Sequence, residues 1–148
     1  MKPAHAILLV EDNPADVKIT QRALKESGLS VQLIVVRDGQ EAIEYLARIG
    51  AHAEDTGWRR PDLILLDMNL PRLDGKDVLI KLRGMTEYRI VPVVVLTTSR
   101  RPQDIERMYA CGANTYIEKP ADFPRFVQVL RTIHQYWIDT ALLPPTAP

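Results

Sequence analysis

Cysteine is almost absent: Cys111 is the only one in 148 residues, which excludes an internal disulfide and a cysteine-built zinc site. Flanked by Ala110 and Gly112, it reads as a small packing residue. Long apolar runs are missing too, since none approaches the roughly 18 residues that a membrane-spanning helix needs. The start, Met1-Lys2-Pro3-Ala4-His5, leads straight into a short strand-like run and lacks the charged, apolar and cleavage-site succession of a signal peptide. The expectation is a cytoplasmic protein. There is no surplus of charge, because 19 Lys and Arg balance 19 Asp and Glu, so no global basic field gathers nucleic acid. Neither G-x-G-x-x-G nor G-x-x-x-x-G-K occurs, and there is no internal repeat.

What is present is an ordinary globular composition, 46% hydrophobic and 26% charged, in a length that suits a single domain spanning 1–148. Short β-branched and leucine runs alternate with segments of helical period, the pattern of a parallel sheet covered on both faces. The strands are expected at Ala6 to Val10, Val31 to Val36, Leu63 to Leu66, Val91 to Leu96 and Thr115 to Glu118. The first helix starts at an Asn13 N-cap with Pro14 in its first turn and stops at Gly28. Further helices are expected from about Gly39 to Ile49, Gly75 to Arg83 and Pro102 to Tyr109, the last with Ile105, Met108 and Tyr109 facing the sheet. In the final helix Phe123, Phe126, Val127, Leu130, Ile133 and Trp137 keep a helical spacing. Five such units favour an α/β doubly wound, five-stranded parallel sheet of flavodoxin-like order 2-1-3-4-5. Residues 50–60, ending in Trp58-Arg59-Arg60, read as an inserted exposed loop. Residues 140–148 read as an extension whose prolines stop the last helix.

Polar residues at the carboxyl ends of buried strands are where an open α/β sheet puts its chemistry. Here Glu11 and Asp12 follow the first strand, Asp67 the third and Lys119 the fifth, while Thr97 closes the fourth. With the first and third strands adjacent, three carboxylates converge and repel one another by roughly a few kcal/mol per close pair. A bound cation relieves this, and oxygen ligands with open positions suit Mg²⁺ better than Ca²⁺. For Glu11 and Asp12 alone, solvated turn residues would be an equal reading; Asp67, ending a fully apolar run, tips the balance. Lys119 precedes Pro120, and a cis peptide there would aim its ammonium over the sheet edge. The Thr97 hydroxyl lies on the same edge.

The set Glu11-Asp12, Asp67, Thr97 and Lys119-Pro120, with Leu70-Pro71, Asp74-Gly75 and Gly112-Ala113, resembles the receiver domain of two-component response regulators. That resemblance implies that Asp67 accepts a phosphoryl group from a phosphohistidine of a sensor histidine kinase. It further implies that Asp12 binds Mg²⁺ directly, that Glu11 acts largely through water, and that the Asn69 carbonyl completes the protein ligands. Thr97 and Lys119 would hold phosphoryl oxygens, and Tyr116 would be an aromatic switch turning inward with Thr97. Asn69 and Ser99 would tune the lifetime of the phosphoryl group, and Thr98 would narrow access. The inserted loop, the Asp67-Met68-Asn69-Leu70-Pro71 stretch and the extension look like regulators paired with phytochrome-type kinases.

Because the chain ends after the last helix, the expected output is a protein surface rather than a DNA-binding or catalytic domain. Val129, Tyr136, Ile138 and Leu142 lie off the sheet-facing stripe, so a homodimer through the fourth helix, fifth strand and fifth helix is expected. Two other readings stay open: an unphosphorylated docking module, and a magnesium-dependent phosphohydrolase. The second needs an acid two residues after the nucleophile, where Asn69 stands. A flavin carrier of the same fold is disfavoured because Glu11 and Asp12 would repel its phosphate. Arg59-Arg60 and Arg100-Arg101 read as solvated loop charges or kinase-docking residues.

Overall fold

Three of the five strands are apolar but for one terminal threonine because neither of their faces meets water. In the computed structural model, which describes residues 5–145, every residue of β1 (Ala6–Val10), β3 (Leu63–Leu66) and β4 (Val93–Thr97) is buried. This is the state of central parallel strands covered on both sides. With β2 (Gln32–Val36) and β5 (Thr115–Glu118) they form one parallel sheet in the order β2-β1-β3-β4-β5, as the sequence predicts. Residues 1–4 and 146–148, which include the far end of the expected extension, lie outside the described residues.

Five helices cover the sheet: α1 (Pro14–Glu26), α2 (Gly39–Ala47), α3 (Gly75–Arg83), α4 (Pro102–Ala110) and α5 (Phe123–His134). Alternate strand residues feed the two faces. Leu8, Ile64 and Val95 pack with Tyr45, Leu79 and Met108 of α2, α3 and α4; Leu9, Leu65 and Val94 pack with Val17 of α1 and Phe126 and Leu130 of α5. Asn13 caps α1 through its side-chain oxygen, and Asp38, Asp74 and Asp122 do the same for α2, α3 and α5. These caps anchor the helix starts at the carboxyl edge of the sheet, where the loops carrying the site residues begin.

Several details depart from the sequence-based expectations. β4 starts at Val93 rather than Val91, since Pro92 has no N–H to give the ladder, and it extends to Thr97, which pairs with Glu118. β2 starts at Gln32, and α2 ends early because Arg48 turns left-handed at φ 56°. Residues 50–60 are not a free loop. They make a 3-10 turn at Gly50–His52, after which Trp58 stacks on Tyr45 at 5.6 Å and donates to the Tyr45 carbonyl at 2.8 Å. Tyr109 is only partly turned to the sheet: it is 47% exposed, with its hydroxyl accepting from the Tyr116 N–H of β5 at 3.1 Å, while Asp104 and Met108 are the buried residues of α4. α5 passes into a π-helical turn at Gln135–Thr140 and stops with an extended Ala141, ahead of the prolines. Val129 packs against the α1–α5 core rather than standing uncovered, whereas Tyr136 and Leu142 are 55% and 98% exposed.

Candidate functional site

Backbone hydrogen bonds carry the sheet ladder one residue past each strand and so fix the site. Glu11 N–H donates to Val36 O at 3.0 Å, Asp67 N–H to Val10 O at 3.1 Å, and Lys119 N–H to Thr97 O at 2.8 Å. Glu11 and Asp67 are therefore neighbours just past the ends of β1 and β3. Ligand oxygens of Glu11, Asp12 and Asp67 all lie within 4.8 Å of one another. Glu11 and Asp67 are buried and Asp12 is exposed, which leaves one side of the cluster open to solvent.

One cation faces these carboxylates. The Lys119 ammonium donates to Glu11 at 2.5 Å, to Asp16 at 2.9 Å and to Asp67 at 3.5 Å. Its side chain is 9% exposed. The Lys119–Pro120 peptide is not cis, because no cis bond occurs among the described residues. The long side chain reaches the cluster from a trans backbone that stays bonded to β4. Burial lowers the affinity of Lys119 for its proton, but the hydrogen bonds to Glu11 and Asp16 outweigh it and hold the group above the usual lysine range. Glu11 moves in the unusual direction for a carboxyl beside a lysine. Its burial, opposed by the Lys119 hydrogen bond and reinforced by the Asp67 charge, raises it from 4.5 to about 7. One lysine thus does not compensate this group of acids.

A hard divalent cation fits these residues: the donors are all oxygens, they converge, and they carry more negative charge than Lys119 can offset. Thr97 completes the floor of the site. It is fully buried, yet its Oγ1 has no hydrogen-bond partner among the described residues. A hydroxyl is left in this state at a cost of about 1–3 kcal/mol, which argues that a ligand oxygen belongs there.

The loop from Met68 to Asp74 folds over the site with little freedom. A Cβ on Gly75 would lie 2.4 Å from the Asp67 carbonyl oxygen, and one on Gly39 would lie 1.7 Å from that of Leu73. Arg72, left-handed at φ 64°, donates to both oxygens of Asp38 at 2.9 Å. That ties the loop to the start of α2. Asn69 donates its N–H to Asp67 Oδ1 at 3.3 Å. On the other flank Tyr116 donates its hydroxyl to Ser99 O at 2.9 Å, with its ring against the core. The Ser99 hydroxyl is committed to Asp104 at 2.6 Å, so it holds α4 and not the centre of the cluster. Thr98 is exposed in a cleft shared with Asp16, Lys119 and Phe123.

The structure brings together Glu11, Asp12, Asp67, Thr97 and Lys119 and puts Asn69 and Tyr116 on either side. Sequence reasoning missed Asp16 and the Arg72–Asp38 pair. Asp16 had a signal: an acid three residues after the Asn13 cap occupies the first turn of α1, which opens onto the sheet edge. The arginine pairs are absorbed locally: Arg59 bonds Gln32, Arg60 lies over Tyr88, Arg100 pairs with Glu118 and Arg101 with Asp104.

A profile of the response regulator receiver domain matches residues 7–131. The chain belongs to this family. Over 142 residues it is 37% identical to response regulator Rcp1 of Synechocystis sp., covering 96% of this chain and 95% of Rcp1. Its structure is similar to that of the phosphorylated cyanobacterial phytochrome response regulator RcpA, with 42% identity and a TM-score of 0.87 over 95% of this chain and 99% of RcpA. The Mn²⁺-bound form of Rcp1 aligns with a TM-score of 0.85 at 37% identity, over 95% of this chain and 99% of Rcp1. The bacteriophytochrome response regulator AtBRR aligns at 0.73 with 40% identity, over 95% and 98% of the two chains. The chain is thus a receiver-type response regulator, and its acidic cluster is one that could hold a divalent metal. No helix among the described residues is long and apolar enough to cross a membrane.

Proposed function

We propose that Asp67 is the phosphoacceptor of this response regulator. An Asp67 carboxylate oxygen attacks the phosphorus of a phosphohistidine; the P–N bond breaks as the O–P bond forms, and the histidine nitrogen leaves and takes up a proton. Such transfer depends on in-line positioning and on neutralising the equatorial oxygens. Lys119 and the unpartnered Thr97 hydroxyl are the side chains that would receive those oxygens. Glu11, Asp12, Asp67 and the Asn69 carbonyl would hold Mg²⁺, which when bound offsets the charge of the acids and of the phosphoryl group. The convergence of three carboxylates, one lysine and one orphaned buried hydroxyl at the carboxyl edge carries this reading.

Movement of Thr97 toward a phosphoryl oxygen would propagate through β4 to Ser99, whose carbonyl holds Tyr116, and so bias the α4–β5–α5 surface. Exposed Tyr109 and Tyr136 on that side support a homodimer there. The partner is a histidine kinase of the phytochrome type, since RcpA and AtBRR, phytochrome response regulators, are among the similar proteins, and the pair would act in the cytoplasm. Intact mass after incubation with acetyl phosphate tests the chemistry. A labile, Mg²⁺-dependent gain of one phosphoryl group, lost in Asp67→Ala, is expected; no gain from acetyl phosphate or from a phosphorylated kinase would leave an unphosphorylated docking module.

A further inference from the structure

Among the described residues Lys119 is the only cation in the cluster, and its position decides how much of Asp67 is free to bind a metal. An ammonium has three donors. Two of them are spent at 2.5 Å and 2.9 Å on Glu11 and Asp16, and the contact to Asp67 is the longest of the three at 3.5 Å. Asp16 differs from the other two acids. It lies outside the three-carboxylate cluster, and its side chain is 29% exposed, against 3% for Glu11 and 11% for Asp67. Its backbone is fixed by α1: the N–H reaches Asn13 Oδ1 at 3.4 Å, and the carbonyl accepts from Thr20 Oγ1 at 2.8 Å.

We propose that Asp16 is a positioning residue that draws the Lys119 ammonium toward α1 and away from Asp67, keeping Asp67 available to a divalent cation. The inference rests on the phosphoacceptor reading of Asp67 and adds a residue outside that set. Without Asp16, the freed donor turns to Asp67, since Glu11 already holds another donor, and the lysine then competes with the metal. When a phosphoryl oxygen arrives, Lys119 exchanges Asp16 for it. Asp16 is the partner that can be released at least cost, because it is the wettest of the three and takes up water in return.

The test is a double-mutant cycle read by direct Mn²⁺ binding, from the loss of the free-ion electron paramagnetic resonance signal, on wild type, Asp16→Asn, Lys119→Met and the pair. Asp16→Asn should weaken Mn²⁺ binding about fivefold in the wild-type background and less than about twofold beside Lys119→Met. Asp16→Glu should restore most of the loss. Equal effects in both backgrounds would mean that Asp16 acts only as a distant charge and would overturn the proposal while leaving the metal site standing. Failure of the wild type to bind Mn²⁺ would overturn both. Melting temperatures confirm that each variant folds, and Asp16→Ser, which suits a helix start, replaces Asn if Asn does not.

Discussion

Lys119 and Arg83 are two largely sheltered cations at opposite edges of the same sheet, and their surroundings could hardly differ more. Arg83, at the end of α3, donates to the carbonyls of Gly112, Tyr88 and Val91 at 2.7 Å, 3.0 Å and 2.7 Å and to Asn114 Oδ1 at 3.0 Å. None of those partners is a carboxylate. It is a charge dissolved in backbone dipoles, joining the α3–β4 and α4–β5 connections. Lys119 faces Glu11, Asp16 and Asp67, with Asp12 close by. The first arrangement is complete in itself; the second carries surplus negative charge and an unused buried hydroxyl. Completed electrostatics mark structure, and uncompensated electrostatics mark a site that expects a ligand.

The largest effect should come from emptying the complete cluster. Arg83→Met should destabilise the protein by about 3 kcal/mol, since several carbonyls lose a charged donor at once. Denaturant unfolding measures this, and Mg²⁺ should not restore the loss.

Next comes the pH dependence of the incomplete cluster. Glu11 titrates near 4.5 when unfolded and near 7 when folded. A raised folded value means that its contribution to stability is fully present below 4.5 and is lost as the pH rises through 7. In the presence of a chelator, wild type should therefore lose stability relative to Glu11→Gln, by on the order of 2 kcal/mol between about pH 4.5 and about pH 8. Melts of the two proteins across that range check it; parallel curves would contradict the uncompensated reading.

The smallest effect separates stability from chemistry at a single atom. Thr97→Val removes a hydroxyl without a partner and keeps the shape, so the metal-free protein should be unchanged or up to about 1 kcal/mol more stable. Its labelling by acetyl phosphate should nevertheless slow. A clear loss of stability would mean that the hydroxyl is already bonded.

Much of this contrast was legible in the residues, and the reasons are physical. Fully buried parallel strands leave unbroken apolar runs such as Leu63-Ile64-Leu65-Leu66, and the residue ending each run falls on the carboxyl edge by topology alone. Glu11, Asp67, Thr97 and Lys119 could therefore be placed together before any coordinates. Contacts made across elements left no such trace. Asp16 reads as a helix-start acid until Lys119 is seen against it. Tyr109 fits an inward helical face, yet it stays half exposed with its hydroxyl on the Tyr116 N–H, while Asp104, bonded by Ser99, is buried. Trp58 sits in a polar segment whose order comes from stacking on Tyr45. The trans Lys119–Pro120 peptide was missed because a long, flexible lysine needs no special backbone to reach its acids.

The central claim is most directly tested by melting temperature against Mg²⁺ concentration for wild type and Lys119→Met. Without Mg²⁺, removing this counter-cation should cost about 1–2 kcal/mol, and saturating Mg²⁺ should close the gap, because the ion binds the folded state and replaces the missing charge. A gap that Mg²⁺ leaves unchanged would contradict the account, for it would place Lys119 with Arg83 as a purely structural cation.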